Sequence, residues 1–326
     1  SLSSRKGIPL NTTRTPEKRP LRVLYMGSHS RFSTTPLNIL FDHGVQICAL
    51  MVAAPLARRH RIEINPVFPE PLPMYTFSMS SGENPVEAAH SRRIPVYEIG
   101  KMTDQVVKEA ISACMADVIF ASCFPMRFPE EILEMPTFGC FNLHPALLPK
   151  FRGPDPLFWI FYHGVRQTGV TVHHMTKRID AGDMVAQSAW TIENGVSEKT
   201  LLAHCAEAGG RLFIEVITAL GKGHLVSRPQ NKEQSSYFSW PDQRDRVITP
   251  ERSAQWAYNF IKGIGKRIEP LEFHGDGYRY RVKEAIDYTA SGTLNSPTFT
   301  EDDHLWIQCS PGILHITGYR TSNLGL

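Results

Sequence analysis

No stretch of the chain approaches 18 uninterrupted apolar residues, so no segment reads as a membrane-spanning helix. No Cys-x-x-Cys pair occurs. The six cysteines, Cys48, Cys114, Cys123, Cys140, Cys205 and Cys309, are scattered, and Cys48 lies in the apolar run VQICALMV. That spacing indicates neither a zinc site nor a disulfide framework; it reads as packed thiols in a reducing compartment. Concentrated positive charge is also missing from the body of the chain. Of the formal +3, residues 1–21 contribute +4 (five basic groups against Glu17), leaving −1 for the rest, and residues 226–326 balance 12 basic against 12 acidic groups. A nucleic-acid binder usually gathers its positive charge on the folded surface, so this distribution disfavours one. Residues 1–20 read as a disordered tail, with a transit segment as the alternative. The expected location is therefore cytoplasmic, or an organellar matrix if the tail is a transit remnant. The G-x-G-x-x-G pattern is absent too: Gly27-Ser28-His29-Ser30-Arg31 follows an apolar run but offers no second glycine, and reads as an ordinary strand-to-helix turn.

What is present is a globular composition and an alternating pattern. At 326 residues with 42% hydrophobic and 21% charged content, the chain suits two domains. Apolar runs at 21–27, 45–53, 94–98, 116–122 and 138–144 read as strands, with helices at 36–43, 102–115 and 154–162 between them. Residues 54–92 are polar, Pro-rich and irregular. Strands at 168–175 and 184–192 flank a loop, and 197–220 reads as a long helix capped by Ser197. The expectation is an α/β fold: a mainly parallel, Rossmann-like sheet with helices on both faces. The polar stretch 221–239 marks the domain boundary, giving a tail at 1–20, a first domain at 21–223 and a second at 224–326. Beyond a helix at 249–264, short strands at 271–274, 278–285, 305–309 and 313–319 suggest a small barrel-like or curled sheet.

Two segments carry chemistry. In Phe141-Asn142-Leu143-His144-Pro145, strand alternation puts Asn142 and His144 on one face, and Pro145 ends the ladder. An amide and an imidazole at a strand exit can serve an oxyanion and a proton together. Taken alone, however, the triplet is a weak signal. The second segment, Thr171-Val172-His173-His174-Met175-Thr176-Lys177-Arg178-Ile179-Asp180-Ala181-Gly182-Asp183, sets two aspartates in a glycine-containing loop between apolar strands. Such a loop suits function, although aspartates also bond their own backbone in turns.

Together these segments resemble the folate-dependent formyltransferase family, which includes methionyl-tRNA, glycinamide ribonucleotide and amino-sugar formyltransferases. The resemblance covers about residues 21–223 and rests on N-x-H, an ALLP loop and Asp in a D-x-G loop 36 positions beyond the histidine. It implies a catalytic trio of Asn142, His144 and Asp180, with a charged His144 and Asn142 steadying an oxyanion and Asp180 helping to remove the amine proton. It also implies a donor pocket for 10-formyltetrahydrofolate formed by Met126, Arg127, Phe128 and Pro129 on one side and by Ala181, Gly182 and Asp183 on the other, with no metal. Thr171 and His173 would support the aspartate, and His174, on the other face, would pack. The family usually has Ser where this chain has Ala146, which predicts a modified acceptor site.

The acceptor divides the signals. The C-terminal part resembles the barrel that methionyl-tRNA formyltransferases append, and the basic residues Arg58, Arg59 and Arg61 sit where tRNA-specific relatives carry a basic insertion. Against this stand the neutral C-terminal charge and two similarities elsewhere: Gly153 through Trp159 resembles peptide-synthetase formylating domains, and the segment around Asp180 resembles amino-sugar enzymes. The sequence leans slightly to a small or carrier-bound amine, with methionyl-tRNA as the alternative. A formyl-folate hydrolase, and a non-catalytic folate- or RNA-binding module, are the readings from other classes.

Overall fold

The structure is a computed structural model and describes residues 19–57, 59, 64–68, 84–268 and 270–324. Its larger sheet has eight strands. In chain order these are β1 (Arg22–Gly27), β2 (Gln46–Ala53), β3 (Ile64–Val67), β4 (Val96–Ile99), β5 (Val118–Ser122), β6 (Cys140–His144), β7 (Gln167–His174) and β8 (Met184–Thr191). The spatial order is β3-β4-β2-β1-β5-β6-β7-β8. The run from β4 to β6 is parallel, and β3, β7 and β8 add antiparallel edges. The mainly parallel expectation is met. Every residue of β5 is buried, as a strand covered on both faces requires.

Helices α1 (Arg31–Asp42), α2 (Pro85–His90), α3 (Gln105–Ala113), α4 (Glu130–Leu133), α5 (Pro156–Tyr162) and α6 (Glu198–Gly221) cover this sheet. Helix α1 starts five residues before the expected position, because Pro36 lies inside it rather than at its start. A proline lacks the N–H that would bond to the carbonyl four residues back. Here that carbonyl, on Phe32, accepts the Ser122 hydroxyl of β5 at 2.5 Å instead. The glycine turn before α1 is closed by Ser33, whose Oγ accepts the Ser28 N–H at 2.9 Å and donates to the Ser122 carbonyl at 2.6 Å. In α6, Ser197 caps the N-terminus by accepting the Thr200 N–H. At mid-helix, a Cβ on Gly209 would come within 2.3 Å of the Leu143 side chain, which packs directly against the helix backbone there.

The region 54–92, expected to be irregular, contains β3 and α2. Strand β3 includes Pro66 and pairs only as an edge, where a missing N–H is tolerated. The second sheet comprises β9 (Val247–Ile248), β10 (Leu271–Gly275), β11 (Tyr278–Thr289), β12 (Thr298–Glu301), β13 (His304–Gln308) and β14 (Ile313–Asn323), in the order β12-β13-β14-β11-β10-β9. Three register shifts along β11 and β14 mark bulges, which curl the sheet as expected. Helix α7 (Ala254–Ile264) packs between the second sheet and helices α5 and α6, and Phe158 of α5 meets Phe260 of α7 edge-on at 5.8 Å. No helix among the described residues is long and apolar enough to cross a membrane.

Candidate active site

The β6–β7 ladder pairs Asn142 with His173 and His144 with Thr171. Directly opposed residues of paired strands point to the same face, so these four side chains form one polar patch at the carboxyl end of β6. The loop between β7 and β8 returns Asp180 to this patch. Its Oδ1 lies 3.7 Å from His144 Nδ1 and 3.5 Å from His173 Nε2, and its Oδ2 accepts the Gly153 N–H at 2.9 Å. Residues 36 positions apart in sequence thus meet around one buried carboxylate.

Hydrogen bonds assign the ring protons. His144 Nε2 faces the Phe151 carbonyl at 2.8 Å and must donate, so the proton of the neutral ring sits there and the Nδ1 lone pair faces Asp180. His173 Nδ1 donates to the His174 carbonyl at 2.8 Å, leaving its Nε2 to accept the Asn142 amide N–H at 3.3 Å. Thr171 Oγ1 donates to the Ala146 carbonyl at 2.7 Å and accepts the Leu148 N–H and the Gln187 amide. Thr171 therefore shapes the chain after β6 rather than touching Asp180. His174, on the opposite face, lies 4.4 Å from the Phe141 ring and bonds Ser227, in agreement with a packing role.

Burial pushes the His144 imidazole below its ordinary value; Asp180 opposes this without overcoming it. In this enclosed site burial favours the neutral ring, while the Asp180 carboxylate favours the charged one. Burial acts to raise the Asp180 carboxyl as well, but the charge that His144 gains on protonation, His173 likewise, and the Gly153 N–H outweigh it and favour the ionised carboxylate. The resting pair is an ionised aspartate beside a neutral imidazole. Asp180 also adopts φ of 50°, the left-handed region that aspartate tolerates better than most residues.

Outside the carboxyl ends of β2, β4 and β5 lies a crevice of about 420 Å³, lined by Leu56, Arg59, Lys101, Met102, Met126 and Arg127 among others. Open α/β sheets bind ligands at such a position. Of the expected donor-pocket residues, Met126 and Arg127 line this crevice. Phe128 is buried against Phe124, and Pro129 sits at the start of α4. Ala181, Gly182 and Asp183 do not line the crevice; they fold back on β7, where the Asp183 carbonyl accepts the His174 N–H. The two loops are joined by a Lys177–Glu130 ion pair at 2.5 Å. Arg59 donates Nε–H to the Ala54 carbonyl, whereas Arg58 and Arg61 lie outside the described residues. Ala146 is fully buried in the core cluster, and its carbonyl accepts the Thr171 hydroxyl.

Sequence reasoning missed Gly153, whose N–H holds the carboxylate, and Gln230, which bonds the backbone of the Asp180 loop. Gly153 opens the stretch running to Trp159 noted in the sequence, but Gln230 sits in a polar segment with no local signal.

The chain is similar to several known proteins. A methionyl-tRNA formyltransferase from Macrococcus caseolyticus (strain JCSC5402) is 29% identical over 301 residues, covering 92% of this chain and 90% of its own. A variant of HypX from Aquifex aeolicus shares the fold over 91% of this chain, with a TM-score of 0.59 and 15% identity; the chain spans 44% of HypX. An N-formyltransferase from Helicobacter canadensis, solved with folinic acid and dTDP-3-aminofucose, aligns with a TM-score of 0.65 and 17% identity over 91% of this chain and 99% of its own. The model of the formyl transferase family matches residues 42–217, more than half the chain, and the protein belongs to that family.

Proposed function

We propose that the protein transfers the formyl group of 10-formyltetrahydrofolate to a primary amine, with Asn142, His144 and Asp180 as its catalytic residues. The observation that carries this reading is the meeting of these three side chains at the carboxyl end of β6 in a chain of this family. As an amine adds to a formyl carbon, negative charge grows on the formyl oxygen and positive charge on the nitrogen. Asn142, fixed by its bond to His173, donates its remaining amide N–H to that oxygen. His144 takes the amine proton at Nδ1, and the nearby Asp180 carboxylate stabilises the imidazolium that forms. The oxyanion then collapses, the bond from the formyl carbon to the folate nitrogen breaks, and His144 returns its proton to that nitrogen as it leaves.

The similarity of a methionyl-tRNA formyltransferase along nearly its whole length, second sheet included, supports charged tRNA as the first acceptor to test. In that version residues 224–326 form the acceptor-related domain, with Arg58, Arg59 and Arg61 contacting phosphates. The likeness in fold to sugar N-formyltransferases keeps an amino sugar as the second. The test is incubation with 10-formyltetrahydrofolate and a panel comprising methionyl-tRNA, nucleotide-linked amino sugars and free amino acids, scored by folate absorbance and product mass. Formate release without any amine would instead establish a hydrolase. Replacing the three arginines by glutamine should lower the salt slope of tRNA binding by about one for each phosphate no longer neutralised; an unchanged slope rules out their role.

A further inference from the structure

We infer that Gln230 is a positioning residue of the transfer site, holding the catalytic carboxylate from the segment that connects the two sheets. The inference rests on the proposed formyl transfer and on the following contacts. Gln230 Nε2 donates to two carbonyls of the Asp180 loop, that of Asp180 itself at 2.8 Å and that of Gly182 at 2.7 Å. Its Oε1 accepts both Nε and Nη2 of Arg152, at 3.1 and 2.7 Å. Arg152 directly precedes Gly153, whose N–H is bound to the Asp180 carboxylate. One side-chain amide thus ties together the two segments that cross at Asp180, using both donor hydrogens and accepting two further bonds.

The rest of the connecting segment keeps Gln230 in place. Arg228 and Met184 exchange backbone bonds at 2.8 and 2.9 Å, just beyond the Asp180 loop. Ser236 Oγ accepts the Phe151 N–H at 2.9 Å, and its carbonyl accepts the Arg152 N–H at 3.0 Å. Phe238 stacks on Phe151 and Trp159, at 5.7 and 4.9 Å between ring centres. The stretch 227–238 is therefore not a spacer between domains but a strap across both loops of the site. Asp180 sits in the left-handed region, and the bonds from Gln230 to the Asp180 and Gly182 carbonyls brace that turn from outside the loop.

The test uses the full chain with Gln230→Met, close in volume but unable to make these bonds. Gln230→Glu serves as the second variant, keeping the Arg152 partner while removing the donors to the loop. Each should lower kcat about 100-fold, the scale of a displaced catalytic group, with KM for 10-formyltetrahydrofolate within about threefold of wild type. Amide exchange at Gly153 should accelerate in both variants, while amides of β5 keep their protection. A loss confined to KM, or Gly153 exchange unchanged in both variants, overturns the inference. If wild type proves inactive with every amine, the functional proposal fails by itself, and Gly153 exchange still decides whether Gln230 holds the carboxylate.

Discussion

Gly153 donates its backbone N–H to Oδ2 of Asp180 at 2.9 Å, closing a contact across 27 residues that fixes the carboxylate between two histidines. Gly153 itself has φ of 116°, and a Cβ there would lie 2.0 Å from the Phe238 carbonyl oxygen. Gly153→Ala should therefore destabilise the fold by at least about 2 kcal/mol, through strain and a backbone clash together. A denaturant or thermal melt measures this; an unaltered midpoint contradicts the tight approach.

Removing members of the trio separates chemistry from folding. Asn142→Ala should lower kcat by about 100- to 1,000-fold, the usual cost of losing one oxyanion donor. His144→Ala should be at least as damaging. Far-ultraviolet circular dichroism and melting curves check that the variants fold, and single-turnover rates locate the loss in the chemical step. Asn142→Ala at near wild-type kcat excludes the donor role.

The rate should hold at pH values where an ordinary imidazole is already half protonated. His144 acts unprotonated, and burial depresses its pKa, so the acid limb of kcat/KM should fall below pH 6.5. Asp180 works in the opposite direction, so Asp180→Asn should shift that limb further to acid while cutting the rate. A limb at or above 6.5 in the wild type argues against a buried neutral base.

A second pH effect concerns stability. Arg267 bonds Asp155 at the start of α5 and Glu198 at the start of α6, at 2.9 and 2.7 Å. Burial and the Asp155 charge push the Glu198 carboxyl up to about 7 despite the attraction of Arg267. Burial acts to lower the Arg267 guanidinium, but the two carboxylates outweigh it and raise the group. A carboxyl whose folded pKa exceeds its unfolded value stabilises fully below the unfolded value, near 4.5, and loses that contribution as pH rises through 7. Glu198→Gln should accordingly raise stability by about 1–2 kcal/mol at about pH 8 relative to its effect at about pH 5. Equal effects at the two pH values refute the shift.

Legibility followed locality. Strand β5 and helix α6 were readable because their burial is written in unbroken or periodic apolar residues, and both lie close to the predicted ranges. The first turn of α1 was not readable: Ser33 and Thr34 look like loop residues, yet both are buried, with hydroxyls bonded to the Ser122 and Ser30 carbonyls. Edge strand β3 holds a proline, and it pairs with a strand some thirty residues later.

The amino-acid order alone carried the family resemblance, since Asn142, His144 and Asp180 are types and spacings that a single chain can display. It also determined the sheet apart from β3, since the other strands announce themselves as short apolar runs. Tertiary structure decided the direction in which the His144 pKa moves, because desolvation depends on what surrounds the ring rather than on its neighbours in sequence. It likewise decided that a polar stretch resembling a linker crosses the site: the bonds of Gln230 to Asp180 and Arg152 span 50 and 78 positions, and nothing local encodes a contact at that distance.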